Sequence, residues 1–118
     1  STAIRDFATS SSMIEPSFTF VASSAAQFGY TVAASTTSDL DPSFLNDGST
    51  CNAGAGYTAN RCWMSPSTTA YRIVNRSTSA PSGATTTLTF HIEVPSNPSP
   101  SLDEDFYVAT ATLTATNQ

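Results

Sequence analysis

Two cysteines, one histidine and nine carboxylates are the side chains here whose chemistry could go beyond packing. Cys51 and Cys62 bracket a Gly-containing run, N-A-G-A-G-Y-T-A-N-R. A zinc site takes about four Cys or His ligands, and only His91 adds to the pair. The C-x-x-C spacing of redox sites is absent. A disulfide closing a surface loop is therefore favoured over two free thiols. In the chain-entropy picture such a closure stabilises a fold by about 3 kcal/mol. It also implies an oxidising location, extracellular or on a cell surface.

The acids cluster in two places. Asp39, Asp41, Asn46 and Asp47 put hard oxygen donors into one loop, and Asp103-Glu104-Asp105 precede the last apolar run. Asp39, Asp41 and Asp47 form a candidate Ca²⁺ site, since calcium takes six to eight oxygens. The competing and favoured reading is Asx-type turns with solvated carboxylates. Paired carboxylates in polar loops lack the burial that makes one of them a general acid. His91 is expected on the outward side of a strand between Thr89 and Glu93, without the buried orienting carboxylate of a Ser-His-Asp triad. No enzyme is expected, and no cofactor beyond that Ca²⁺ candidate. Asn75-Arg76-Ser77 is an N-glycosylation sequon. Tyr57, inside the cysteine loop, and Trp63, just after it, are candidate stacking platforms for a sugar, although Trp is more often packed than exposed.

The elements that must position these residues follow from composition and period. The chain has 118 residues, one domain's worth, with four Arg, no Lys and a net charge of −5. A nucleic-acid binder needs clustered cations, which are missing, and polybasic membrane docking fails likewise. No apolar run is long enough for a membrane-spanning helix. Nineteen Ser and nineteen Thr supply roughly a third of the residues. Twelve aromatics spread along the chain argue against disorder.

The hydrophobic period is two. Leu88, Phe90, Ile92 and Val94 alternate with Thr87, Thr89, His91 and Glu93. Tyr107, Ala109, Ala111, Leu113 and Ala115 alternate with Thr110, Thr112, Thr114 and Thr116. Strands are also expected over 17–22, 27–35 and 69–75, with at most a turn of helix from Ser43 to Asn46. Turn signals between them point to an all-β, antiparallel Ig-like β-sandwich. The strand count falls short of the usual seven, so a strand from a neighbouring subunit is expected to complete it. Residues 1–16 read as an N-terminal segment, an exchanged or edge strand. Residues 17–118 read as the single sandwich domain, with a disulfide-closed loop at 51–62.

The runs Ala70–Ser77, Ala84–Phe90, Val94–Pro98 and Phe106–Thr116, with Phe28–Val32 and Cys62-Trp63-Met64, resemble a group of secreted Thr/Ala-rich Ig-like proteins of candidate-phyla-radiation bacteria. The resemblance implies an extracellular β-sandwich in a surface layer, appendage or filament. The leading expectation is thus a structural subunit of a filament, pilus-like or surface-layer assembly. Its partners are copies of itself in a homopolymer, with no nucleic acid and no membrane insertion. Ile4, Phe7, Met13 and Ile14 would pair with a neighbour's sheet or fold back on their own domain. The alternative is a secreted adhesin or carbohydrate-binding module that holds a glycan with the 36–68 loop.

Overall fold

The computed structural model describes residues 4–7 and 16–116. Its centre is the strand with the most mixed demands. Gln27–Ala34 alternates aromatic or β-branched residues with small ones, and it becomes the middle of a three-stranded sheet. We label the strands β1 (Ile4–Asp6), β2 (Ala26–Ala34) and β3 (Thr86–Glu93). The spatial order is β1-β2-β3. β1 runs parallel to β2, and β3 runs antiparallel to it from Gln27↔Glu93 to Ala34↔Thr86.

Because opposed residues in an antiparallel pair share a face, the register sorts the side chains. Phe28, Tyr30 and Val32 lie with Ile92, Phe90 and Leu88 on one face; Gly29 and Thr31 lie with His91 and Thr89 on the other. The first face carries the main core of Val32, Leu40, Phe44, Cys62 and Met64, with Tyr30, Tyr71 and Leu88 packed against it. On the second face, Gly29 has no side chain and two aromatics fill the space. A Cβ there would lie 2.6 Å from the Phe20 ring and 3.1 Å from Phe7 Cβ. Phe7 and Phe20 stack at 4.2 Å between centroids, and Phe20 and Trp63 both lie against His91.

The 36–68 loop covers the first face. Two short 3-10 turns, Thr37–Asp39 and Pro42–Phe44, begin it, the second capped by the Asp41 side chain. Trp63-Met64 then returns beside β2: Tyr30 and Met64 exchange both backbone hydrogen bonds, and so do Ser17 and Trp63.

This architecture corrects the expected antiparallel Ig-like sandwich. The sheet is single, open and mixed, and among the described residues no second sheet faces it. Three expected strands do not form. Residues 17–22 contribute one bridge, at Ser17, because Phe18 and Phe20 turn to different parts of the core. Residues 69–75 also contribute one bridge, Leu40↔Val74, and are held by side chains instead. Residues 105–116 have the right alternation but no ladder partner. The period of two marks extended chain; it does not supply a neighbour.

The filament expectation is corrected with it. Ile4 sits in β1 and pairs with Ala26 of its own chain, and Phe7 is buried, its amide donating to Phe28 O at 2.8 Å. Ile4 and Phe7, two of the residues assigned to strand donation, are thus used at home, in a body with an internal disulfide and an aromatic core. Met13 and Ile14 lie outside the described residues.

Candidate functional site

Two regions compete to be the site. The first is the 36–68 loop with its acids, cysteines and aromatics. Cys51 and Cys62 are joined, with their Cα atoms 5.6 Å apart. Asn46 organises the ring they close. Its backbone exchanges hydrogen bonds with Gly56, and its side-chain oxygen accepts from Gly48 N and Thr58 Oγ1, both at 3.0 Å. Its Nδ2 faces Cys62 Sγ at 3.8 Å. Asn46 is fully buried, and its two sides hold the start and the end of the loop together.

The loop's carboxylates are taken by groups of the same chain. Asp39 pairs with Arg76 Nη1. Asp41 accepts from Ser43 N and Oγ, at 3.2 and 2.7 Å, and from Arg72 Nε at 3.3 Å; the Tyr71 hydroxyl donates to Ser43 Oγ at 2.8 Å. Burial pushes the Asp41 carboxyl up, but the Ser43 hydroxyl and amide and the Arg72 guanidinium outweigh it and hold it below the usual range. Asp47 Oδ1 accepts from Thr50 N and from Ser49 N and Oγ, and these bonds lower its pKa. The three candidate calcium ligands thus face two arginines and a turn of amide donors. Among the described residues no cluster of three or more His, Cys, Asp or Glu is placed to hold a metal ion.

The aromatics of the loop are inward. Trp63 is 6% exposed, with its indole N–H donating to Asn60 O at 3.2 Å. Tyr57 is half-buried against the core, which pushes its phenol pKa up. Trp63 thus has no open ring face for a sugar, whereas Tyr57 is only partly covered. His91 is half-exposed beside Phe20 and Trp63, with Glu93 3.6 Å away. Asn75 is exposed at the loop's rim, its amide donating to Asp39 O. No buried side-chain nitrogen or oxygen among the described residues lacks a partner.

The second region is β3. β2 takes one side of it, and the other side of its backbone is free among the described strands. Half of its apolar face is uncovered: Phe90, Ile92 and Val94 are about half-exposed, and Phe90 stacks on Phe28 at 5.7 Å. The core cover reaches Leu88 and stops, because the 36–68 loop folds over the Val32 end of β2. Beyond β3 the chain crosses the end of the sheet, where Ser99 N donates to Ser24 O at 2.7 Å. From Asp103 to Thr116 every residue is exposed, Phe106 at 98%.

No family model, curated protein or solved structure matches this chain. The likeness to candidate-phyla-radiation surface proteins therefore has no support from relatives, and the single open sheet contradicts the sandwich it implied.

Ser43, Tyr71 and Arg72 are polar residues to which the sequence assigns no site role, and Asn46 enters there only as an oxygen donor for calcium. One signal was available: nine acids and only four arginines make each arginine a scarce partner, and Arg72 and Arg76 are four apart on an extended run, where they meet Asp41 and Asp39.

Proposed function

We propose that this chain is a recognition module which takes an extended polypeptide as an added strand along β3, in an oxidising compartment where the Cys51–Cys62 bridge persists. One observation carries the reading: a strand whose outer backbone edge is unpaired among the described residues runs beside an uncovered apolar strip, Phe90-Ile92-Val94. An edge of this kind pairs with any suitable strand unless charge or proline blunts it. β3 has no proline, and its only ionisable side chains are His91 and Glu93. Backbone hydrogen bonds would supply affinity, and alternate side chains would read the ligand.

The chemistry of the partner follows from both faces of β3. Apolar residues at every second position would cover Phe90 and Ile92, and hydroxyl residues between them would meet Thr87 and Thr89. With a net charge of −5 on the domain, a neutral or cationic segment is favoured over an acidic one.

The test is a titration of the isotope-labelled protein with a synthetic Thr/Val-alternating dodecapeptide carrying terminal lysines. Amide shifts should concentrate in β3, and Ile92→Lys should weaken binding about tenfold or more, a loss in the range of a central interface residue. Shifts confined to the 36–68 loop, or none at millimolar peptide, would refute the reading.

A further inference from the structure

The run that follows β3 has a pattern, a short tether and no ladder partner among the described residues. Its contacts are local: Phe106 N donates to Asp105 Oδ1, and the Tyr107 hydroxyl donates to Asp103 O. The radius of gyration is 15.5 Å, against about 13.5 Å for a compact chain of this length, and the longest extent is 48 Å. An exposed segment with strand alternation and a strand edge unpaired among the described residues therefore coexist in one molecule.

We propose that residues 106–116 close antiparallel onto the free edge of β3 in the same chain, with Ala111 opposite Phe90, as a fourth strand that competes for the edge assigned above to a partner. The regulatory half of this statement rests on that assignment; the pairing itself does not.

The register follows from side-chain size and kind. With Ala111 opposite Phe90, Ala109 falls opposite Ile92 and Leu113 opposite Leu88. Small residues then lie beside the two bulky exposed ones, and leucine meets leucine at the covered end. On the other face the same register sets Thr112 opposite Thr89 and Thr114 opposite Thr87, cross-strand pairs that hydrogen-bond well. A slip of one residue would turn every threonine of the segment onto the apolar strip. A slip of two would set Leu113 opposite Phe90 or opposite Thr86.

The tether permits it. Ser99 is fastened at Ser24, at the end of the sheet where β3 finishes. Seven residues separate it from Tyr107, a reach of about 23 Å when extended. Crossing from β2 to the far side of β3 takes two strand spacings, about 10 Å. A tether this short holds the segment near the edge at about millimolar effective concentration, so a soluble partner must outcompete it.

The experiment is amide hydrogen exchange by NMR on the full chain and on Ala111→Pro. That substitution removes a backbone donor in a segment without core contacts, so exchange across the β2–β3 ladder should stay as in wild type. In wild type, the amides of 107–115 and the β3 amides not bonded to β2 should exchange about tenfold or more slowly than in Ala111→Pro. The same variant should bind the Thr/Val dodecapeptide about tenfold more tightly. Equal exchange in the two proteins overturns the strap. Protection that rises with protein concentration also overturns it, since the pairing is then between copies. Protection of the predicted amides, with no peptide bound by either protein, upholds the strap and sinks the recognition reading instead.

Discussion

Gly29→Ala is the sharpest probe of how the sheet is covered. Gly29 lies in the middle of β2, and its missing side chain points at Phe20, Phe7 and the Met64 carbonyl. An alanine Cβ would sit 2.6 Å from Phe20 Cε2 and 3.1 Å from Met64 O. The ring can swing. The carbonyl cannot, because it accepts Tyr30 N at 3.0 Å in the bridge that returns the disulfide loop to the sheet. Overpacking of this kind costs about 1–3 kcal/mol. Displacing Phe20 from its stack on Phe7 adds about 0.5–1.5 kcal/mol. Alanine's better backbone propensity in a strand gives back about 0.5–1 kcal/mol. The net expectation is a loss of about 2 kcal/mol, or a drop of about 8 °C in Tm for a domain of this size. Urea unfolding followed by the fluorescence of Trp63, which lies edge-on to Phe20, reads both the stability and the local change. Adding Phe20→Leu should recover part of the loss, with a coupling of about 1 kcal/mol in the double-mutant cycle. If Gly29→Ala is as stable as wild type or more so, Phe20 does not sit over this strand, and the two-sided cover of β2 is wrong.

Two further outcomes follow from the loop. Asp41 titrates below its ordinary value of 3.8 in the folded protein, so its contribution is full above that pH and is lost as pH falls through the folded-state value. Asp41→Asn should therefore cost about 1–3 kcal/mol at neutral pH and flatten the acid limb of a stability profile below pH 4; an unchanged limb would show that the Ser43–Arg72 cluster does not hold the carboxylate. Asn46→Ala removes the buried acceptor of two hydrogen bonds, from the Gly48 amide and the Thr58 hydroxyl of exposed residues, and at about 1 kcal/mol each should cost about 2 kcal/mol in thermal melts. It should also shorten the half-time for reduction of Cys51–Cys62 by dithiothreitol, and an unchanged half-time would remove Asn46 as the organiser of that ring.

What could be read in the sequence was local. The alternation of Leu88, Phe90 and Ile92 locates β3 to within two residues, and Asp41-Pro42 announces a helical turn, which runs Pro42–Phe44 and not over 43–46 as expected. The spacing of Cys51 and Cys62 suggested the ring they close. Pairing was not legible. Thr69–Asn75 and Phe106–Thr116 alternate as β3 does, yet neither joins the ladder, because alternation records which side chains could be buried and not which backbone lies alongside. The polar cluster stayed hidden for a related reason. Asp41 lies 30 and 31 positions before Tyr71 and Arg72, and the Leu40↔Val74 bridge and the Asp39–Arg76 pair bring them together. The inward turn of Trp63 depends on the bridge to Ser17, another long-range contact.

The β2–β3 register has a consequence for how the chain reaches this state. Ala34 finds its partner 52 positions later at Thr86, and Gln27 finds its own 66 positions later at Glu93. This is a high-contact-order hairpin, whose closure must pay the loop entropy before the ladder returns anything. During synthesis, β2 emerges with Phe28, Tyr30 and Val32 uncovered and waits for most of the chain to follow. Meanwhile the 51–62 ring can be oxidised on its own, since both cysteines lie inside the waiting loop. The hydroxyl-rich composition then acts on the unfinished chain as much as on the folded one. It keeps a slow folder in solution until the strand it needs has been made.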